Sequence, residues 1–308
     1  MIVGVAGGFG FLGQHVCKAL TENGHHPIAF SRRTGVDMRD FDVLAPAINS
    51  LNAEVIINCA ADSGGIDYGN AATLYENNLL IGHNLCRAAM VAKVSKLVNI
   101  YPNIVYPTGL SNRSESEWLN GRIDDSLLST AMARQAMWAQ CYAYHKVYNY
   151  NSIHLVLPNL YGPGDRFHNH PHALGALVVK VVDAKVNNND KVTIWGTGAP
   201  VREWGYVEDI ATGIVKAMEM YDQIYPLNIG SGIGYSITNI ARLIANAAEW
   251  EGYFIYDLDK EDGPRRKVLD VSRMKSILNW EPPTGILDGI HSTVEWYINN
   301  GGADDTTN

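Results

Sequence analysis

Tyr142 and Lys146, four residues apart in Tyr-Ala-Tyr-His-Lys, are one pair whose types and spacing suit proton transfer. On a helix that spacing puts both side chains on one face. An ammonium beside a phenol lowers its pKa, which is what a general acid/base needs. A second chemical signal is Gly7-Gly-Phe9-Gly10-Phe11-Leu12-Gly13, directly after the apolar run Ile2 to Ala6 and ahead of a helical stripe of Leu12, Val16, Ala19 and Leu20. A strand, a glycine turn and a helix in that order aim backbone N–H groups and a helix N-terminus at a pyrophosphate. A dinucleotide is therefore expected on Gly7, Phe9, Gly10, Phe11, Leu12 and Gly13.

The elements that position these groups follow from the apolar runs. His26 to Phe30 reads as a second strand, ending in Ser31-Arg32-Arg33. An acidic residue there would hold the ribose of NAD, whereas arginines suit the 2'-phosphate of NADP. The competing reading is two solvated surface arginines. NADP(H) is the expected cofactor, with Ser31, Arg32, Asp37 and Met38 around its adenosine half. Glu54 to Asn58 is a buried strand leading into the small residues Cys59, Ala60 and Ala61, which allow close approach of a ligand. A long helix from Leu74 to Val91 carries Asn78, and further strands cover Lys96 to Ile100 and Ile153 to Leu157. This alternation predicts an α/β fold with a parallel sheet covered on both faces.

Beyond Asn159 the sequence changes character. His168, His170 and His172 alternate, but no carboxylate or cysteine stands at a ligand spacing to them, so no metal is expected. One of them meeting substrate is the better reading. Arg265-Arg266-Lys267 follows an acidic stretch, and in a cleft it would grip a diphosphate. The 308 residues carry a net charge of -8 with 46% hydrophobic and 18% charged residues, which argues against a nucleic-acid or anionic-membrane binder. The four cysteines show no CxxC and are expected to be reduced thiols. With no signal-peptide pattern or membrane-length apolar run, a cytoplasmic location is expected.

Several of these motifs together resemble the extended short-chain dehydrogenase/reductase superfamily, and within it the GDP-L-fucose synthase branch. The resemblance rests on Gly7-x-x-Gly10-x-x-Gly13, Asn58-Cys-Ala-Ala61 with Gly64-Gly65-Ile66, Asn77-Asn78, Asn159-Leu-Tyr-Gly-Pro163, Ile194-Trp-Gly-Thr-Gly-Ala-Pro-Val-Arg202-Glu203, and Asp262-Gly through Arg266-Lys267-Val-Leu-Asp270-Val-Ser-Arg273. It implies a Rossmann doubly wound sheet with a smaller, discontinuous C-terminal substrate domain. The expected division is 1–160 with 201–228 returning to it, 161–200 with 229–300, and a tail at 301–308. A GDP-sugar is the implied substrate, held by Asn159, His172, Lys180, Trp195, Arg202 and Arg266, and a homodimer the implied assembly.

The same resemblance questions the tyrosine-lysine pair. In the superfamily about five turns of helix follow the catalytic tyrosine, whereas only six residues separate Lys146 from the strand at Ile153. An ungapped register from Gly121 places Thr130 and Arg134 at the tyrosine and lysine positions, with Arg134 also on the cofactor. Pro102 takes the place of the catalytic serine, and Ile104 that of the epimerisation cysteine. His172 aligns with the epimerisation acid, and Tyr106, Tyr101 and Asp62 are further candidate proton donors. The preferred reading is an NADP(H)- and GDP-sugar-binding enzyme, most simply of a GDP-6-deoxy-4-keto-hexose, with Thr130, Arg134, His172 and Tyr106 as its catalytic candidates. The alternatives are a conventional epimerase/reductase using Tyr142 and Lys146, and a non-catalytic binding or regulatory protein.

Overall fold

The computed structural model describes residues 1–62, 71–168 and 172–300. Gly64, Gly65, Ile66, His170 and the 301–308 tail lie outside the described residues. The first half alternates as its apolar runs predict. It runs β1 (Ile2–Ala6), α1 (Phe11–Glu22), β2 (His26–Phe30), α2 (Phe41–Leu51), β3 (Val55–Asn58), α3 (Ala71–Val91), β4 (Lys96–Pro102), α4 (Leu128–Tyr148) and β5 (Ser152–Leu157). The second half continues with β6 (Asn159–Tyr161), α5 (Ala173–Val186), β7 (Lys191–Trp195), β8 (Val201–Tyr206), α6 (Val207–Met220) and β9 (Leu227–Asn228). Then follow β10 (Gly234–Ser236), α7 (Ile237–Ala247), β11 (Tyr253–Asp257), β12 (Arg266–Lys267), α8 (Ser272–Leu278) and α9 (Ile286–Asn300).

A six-stranded sheet in the order β2-β1-β3-β4-β5-β9 forms the first unit, and every pairing in it is parallel. Every residue of β3 and β5 is buried, as expected where helices cover both faces. The chain steps outward from β1 to β2 and then returns to β3 on the other side of β1. The strand order reverses there, so a crevice opens at the carboxyl ends. Register brings Ala6 level with Phe30 and Asn58, which puts Gly7, Ser31 and Cys59 on one rim.

The smaller unit contains β8 between β10 and β12, with β6 pairing β8, and a separate β11-β7 pair. Its own core includes Leu174, Val178, Ile194, Trp204, Ile240, Ile244 and Val294. The architecture is therefore a Rossmann sheet with a discontinuous C-terminal unit. Two boundaries differ from the simple division. Residues 201–206 form β8 of the second sheet, and the return to the first unit begins with α6. Leu269, Val271, Met274 and Leu278 also pack into the first core. The backbone of Arg113 bridges to Leu269 and draws this segment in. Among the described residues no helix is long and apolar enough to cross a membrane.

Candidate active site

The glycine turn after β1 has little room for anything but glycine at two positions. Gly7 adopts φ +70°, and a Cβ on Gly13 would come within 2.2 Å of the Gly7 carbonyl oxygen. Gly10, at the start of α1, provides no side-chain cap, and the first turn carries no acidic residue. The helix therefore presents unneutralised N–H groups beside Phe11 and Leu12, suited to a phosphate. Phe9 is exposed at the lip of this turn.

At the far rim Arg32 is exposed in a short turn whose Ser31 caps the Arg33 amide. Asp37 is engaged: Arg39 reaches its carboxylate at 2.6 Å and holds it below the usual carboxylate range. Asp37 is thus ion-paired rather than a free ribose ligand, and its pairing with Arg39 leaves the positive charge of this rim to Arg32 and Arg33. Met38 is buried behind it.

The floor of the crevice is knitted by Asn78. Its side-chain amide donates to the Asp62 carbonyl at 2.9 Å and to Leu74 at 2.8 Å, while its oxygen accepts from the Asp62 amide at 3.1 Å. That oxygen also accepts from Arg134 Nη2 at 3.1 Å, and the same Nη2 lies 3.3 Å from the Ala60 carbonyl oxygen. Ala60 in turn lies under Gly7. Gly7, Ala60, Asn78 and Arg134 therefore meet, although they come from four separate stretches of chain. Cys59 is half-buried there, its thiol pushed up by burial, and Ala61 is exposed. Arg134 is buried, no carboxylate pairs with it among the described residues, and its Nε and Nη1 have no partner. Thr130, half-buried, stands one turn earlier on α4.

On the opposite side lie the groups of the second unit. Lys180 donates to the Thr193 carbonyl at 3.1 Å and sits 5.2 Å above the ring of Trp195. Trp195 is 66% exposed, and Lys260 Nζ also lies over its ring, at 5.5 Å. Arg202 donates to the Pro264 carbonyl at 2.6 Å, and Arg266 to Ser111 at 2.9 Å. Asn159 is half-buried on β6. His172 is exposed at the start of α5, next to residues outside the description.

The NAD dependent epimerase/dehydratase family model matches residues 3–230. The chain belongs to that family. It is 31% identical over 300 residues to the putative GDP-L-fucose synthase 2 of Arabidopsis thaliana, covering 96% of this chain and 91% of that one. A GDP-L-fucose synthetase of Naegleria fowleri shares the fold with a TM-score of 0.91 at 21% identity, over 98% of this chain and 95% of the other. A GDP-mannoheptose C4 reductase from Campylobacter jejuni with NADP bound matches at TM-score 0.86 and 26% identity, over 96% and 98%.

Three sequence candidates in this epimerase/dehydratase chain do not reach the crevice as proton donors. Tyr142 stacks on Trp138 at 5.1 Å, and Lys146 Nζ lies 5.3 Å over the ring of Tyr142 rather than at its hydroxyl. Twelve residues separate it from Thr130, roughly 18 Å along the helix. The hydroxyl of Tyr101, wholly buried, is bonded to His154 Nδ1 at 2.8 Å. Tyr106, expected as a catalytic candidate, is 1% exposed and donates to Asn228 Oδ1 at 2.7 Å. Its hydroxyl is tied into the core because Asn228 also fastens Arg113 and Asp270 through their carbonyls.

The chain also brings up residues that no motif flagged. Arg113 is 4% exposed, with Nη1 bonded to both the carbonyl and the side chain of Asn103. No sequence signal marked it: it lies in an irregular loop, and its contacts are tertiary. Asp165 is a buried carboxyl pushed up to about 7 by burial, with the 166 amide on one oxygen. Among the described residues no cluster of side chains suits a metal.

Proposed function

We propose that the protein binds NADP(H) and a GDP-linked 4-keto-6-deoxyhexose or related GDP-sugar, and reduces the keto group with Thr130 and Arg134 in the catalytic positions. The observation that carries this reading is Arg134. A buried guanidinium with two unpartnered nitrogens, beside the Gly7–Ala60 contact, is a site awaiting acceptor oxygens. The hydroxyls of a cofactor ribose fit that need, and the bare α1 N-terminus fits the pyrophosphate. Arg32 and its neighbours favour the 2'-phosphate of NADP.

When bound beside Gly7, Ala60 and Arg134, NADPH would supply the hydride that the reduction needs. The protein's part is to hold the sugar and steady the negative charge growing on the keto oxygen. Thr130 donates its hydroxyl hydrogen to that oxygen and is reprotonated from water, while Arg134 supplies fixed positive charge without relaying protons. A threonine is a far weaker acid than a phenol, so turnover is expected to be slow. Epimerisation lacks support, because Ile104 exchanges no proton and His172 alone cannot serve both faces. A homodimer through the outer face of α3 and α4 is consistent with the apolar groove lined by Leu79, Leu80, Ala136 and Tyr144.

Stopped assays of nicotinamide absorbance with NADPH and GDP-4-keto-6-deoxymannose test the reading. Oxidation that disappears in Thr130→Val supports it. Thermal stabilisation by both ligands without any oxidation would leave a binding protein in its place.

A further inference from the structure

Arg113, Arg202 and Lys267 form a cluster of like charge where the two units meet. Arg113 belongs to the loop between β4 and α4, Arg202 to β8 and Lys267 to β12, and Lys267 is level with Arg202 in the sheet. Burial and then the charge of Arg202 bring Arg113 down to about 10. Burial, then Arg113 and Arg202, bring Lys267 to about 8. The acids acting on the cluster are Asp262 on Arg202 and Asp124 on Lys267. Among the described residues none of the three cations has a carboxylate within ion-pair distance.

The position of Arg113 is fixed from both ends. Its amide donates to the Val268 carbonyl at 2.9 Å, and its carbonyl accepts from the Asp270 amide at 3.0 Å. Its Nη1 is held on the carbonyl and side-chain oxygens of Asn103, the residue after Pro102 at the end of β4. Arg113 Nε and Asn103 Nδ2 are buried donors without partners. Charges buried this way are ordinarily paired. A cluster that carries positive charge and idle donors together is built for an anion.

We propose that Arg113, held by Asn103, is a phosphate-binding residue that grips the sugar-linked phosphate of a nucleoside diphosphate-sugar beside Arg202 and Lys267. This rests on the nucleotide-sugar reading above but not on guanine being the base. Because Arg113 is anchored next to Pro102, the contact ties the diphosphate to the reacting end of the crevice. The first unit thereby takes part in holding substrate.

Calorimetric titrations of the wild type and Arg113→Met with GMP, GDP, UDP and inorganic pyrophosphate test it. The variant should lose about tenfold or more in affinity for GDP and pyrophosphate, while GMP changes by less than about twofold and NADPH binding is kept. Equal GDP affinity in the two proteins overturns the proposal, as does a GMP loss as large as the GDP loss. Wild type that prefers UDP, with the same dependence on Arg113, corrects the base and keeps the phosphate contact. Where Arg113→Met fails to fold, Arg113→Lys keeps the charge without the fork. It should bind GDP about threefold or more weakly with GMP unchanged, and wild-type GDP affinity in that variant overturns the proposal.

Discussion

Arg134 Nη2 on α4 lies 3.1 Å from Asn78 Oδ1 on α3, the same oxygen that accepts from the Asp62 amide. One amide oxygen therefore ties the loop after β3 to α3 and to Arg134 on α4. The arginine is desolvated, which lowers its pKa, and two of its nitrogens are idle. Arg134→Met should weaken NADPH binding by about tenfold or more while costing little stability, because an unpaired buried charge leaves with it. Fluorescence titration of NADPH and a denaturant midpoint read the two effects separately. A variant that binds NADPH as wild type would refute the assignment of Arg134 to the cofactor.

The proposed preference for NADPH can be tested at the rim after β2. Arg32 is exposed there, and its charge is felt by Asp37, which Arg39 already holds. Arg32→Ala should reduce NADPH affinity by about tenfold and leave NADH affinity within about twofold. Equal losses for the two dinucleotides would count against a 2'-phosphate contact.

Much of this was legible from sequence because it depends on local rules. Apolar runs and glycines located β1, the turn and α1, and counting residues after Lys146 placed Tyr142 in the last turns of α4, well beyond Thr130. The rest depends on contacts between distant segments. Nothing near Tyr106 announces that its hydroxyl is bonded to Asn228, 122 residues away. Nothing near Arg113 announces Asn103 or Leu269. The return of α8 to the first core was missed for the same reason, since seven residues give too short a period to choose between two cores.

Gly13→Ala tests the phosphate cradle sterically. The added methyl would meet the Gly7 carbonyl oxygen at 2.2 Å and Gly8 Cα at 2.7 Å, both backbone atoms that do not swing aside. A loss of about 1–3 kcal/mol in stability is expected, with NADPH binding abolished. A chemical denaturation curve and the same NADPH titration measure both, and unchanged stability would mean the turn is looser than described.

The two ends of α4 make opposite predictions. Tyr142→Phe removes only a hydroxyl from a ring that packs on Trp138 and under Lys146, so any turnover should be unchanged within about twofold. Thr130→Val keeps the shape and removes the hydroxyl in the catalytic register, so kcat should fall about tenfold or more. If Tyr142→Phe is the inactive variant, the catalytic register is wrong.

His154 gives the fold a defined sensitivity to acid. It is fully buried on β5, with Tyr101 of β4 on Nδ1 at 2.8 Å and Ser152 on Nε2 at 3.2 Å, and burial brings its pKa down to about 3. The unfolded chain holds the ordinary value of about 6.5, so between these two pH values the unfolded state binds more protons than the folded one. The contribution is complete above about pH 6.5 and is lost progressively as pH falls, by up to about 1.4 kcal/mol per pH unit. His154→Gln offers hydrogen-bonding groups to Tyr101 and Ser152 but does not titrate. Urea unfolding between about pH 4 and 7 should therefore show a shallower decline for the variant than for wild type. Parallel slopes would show that His154 is not the group responsible.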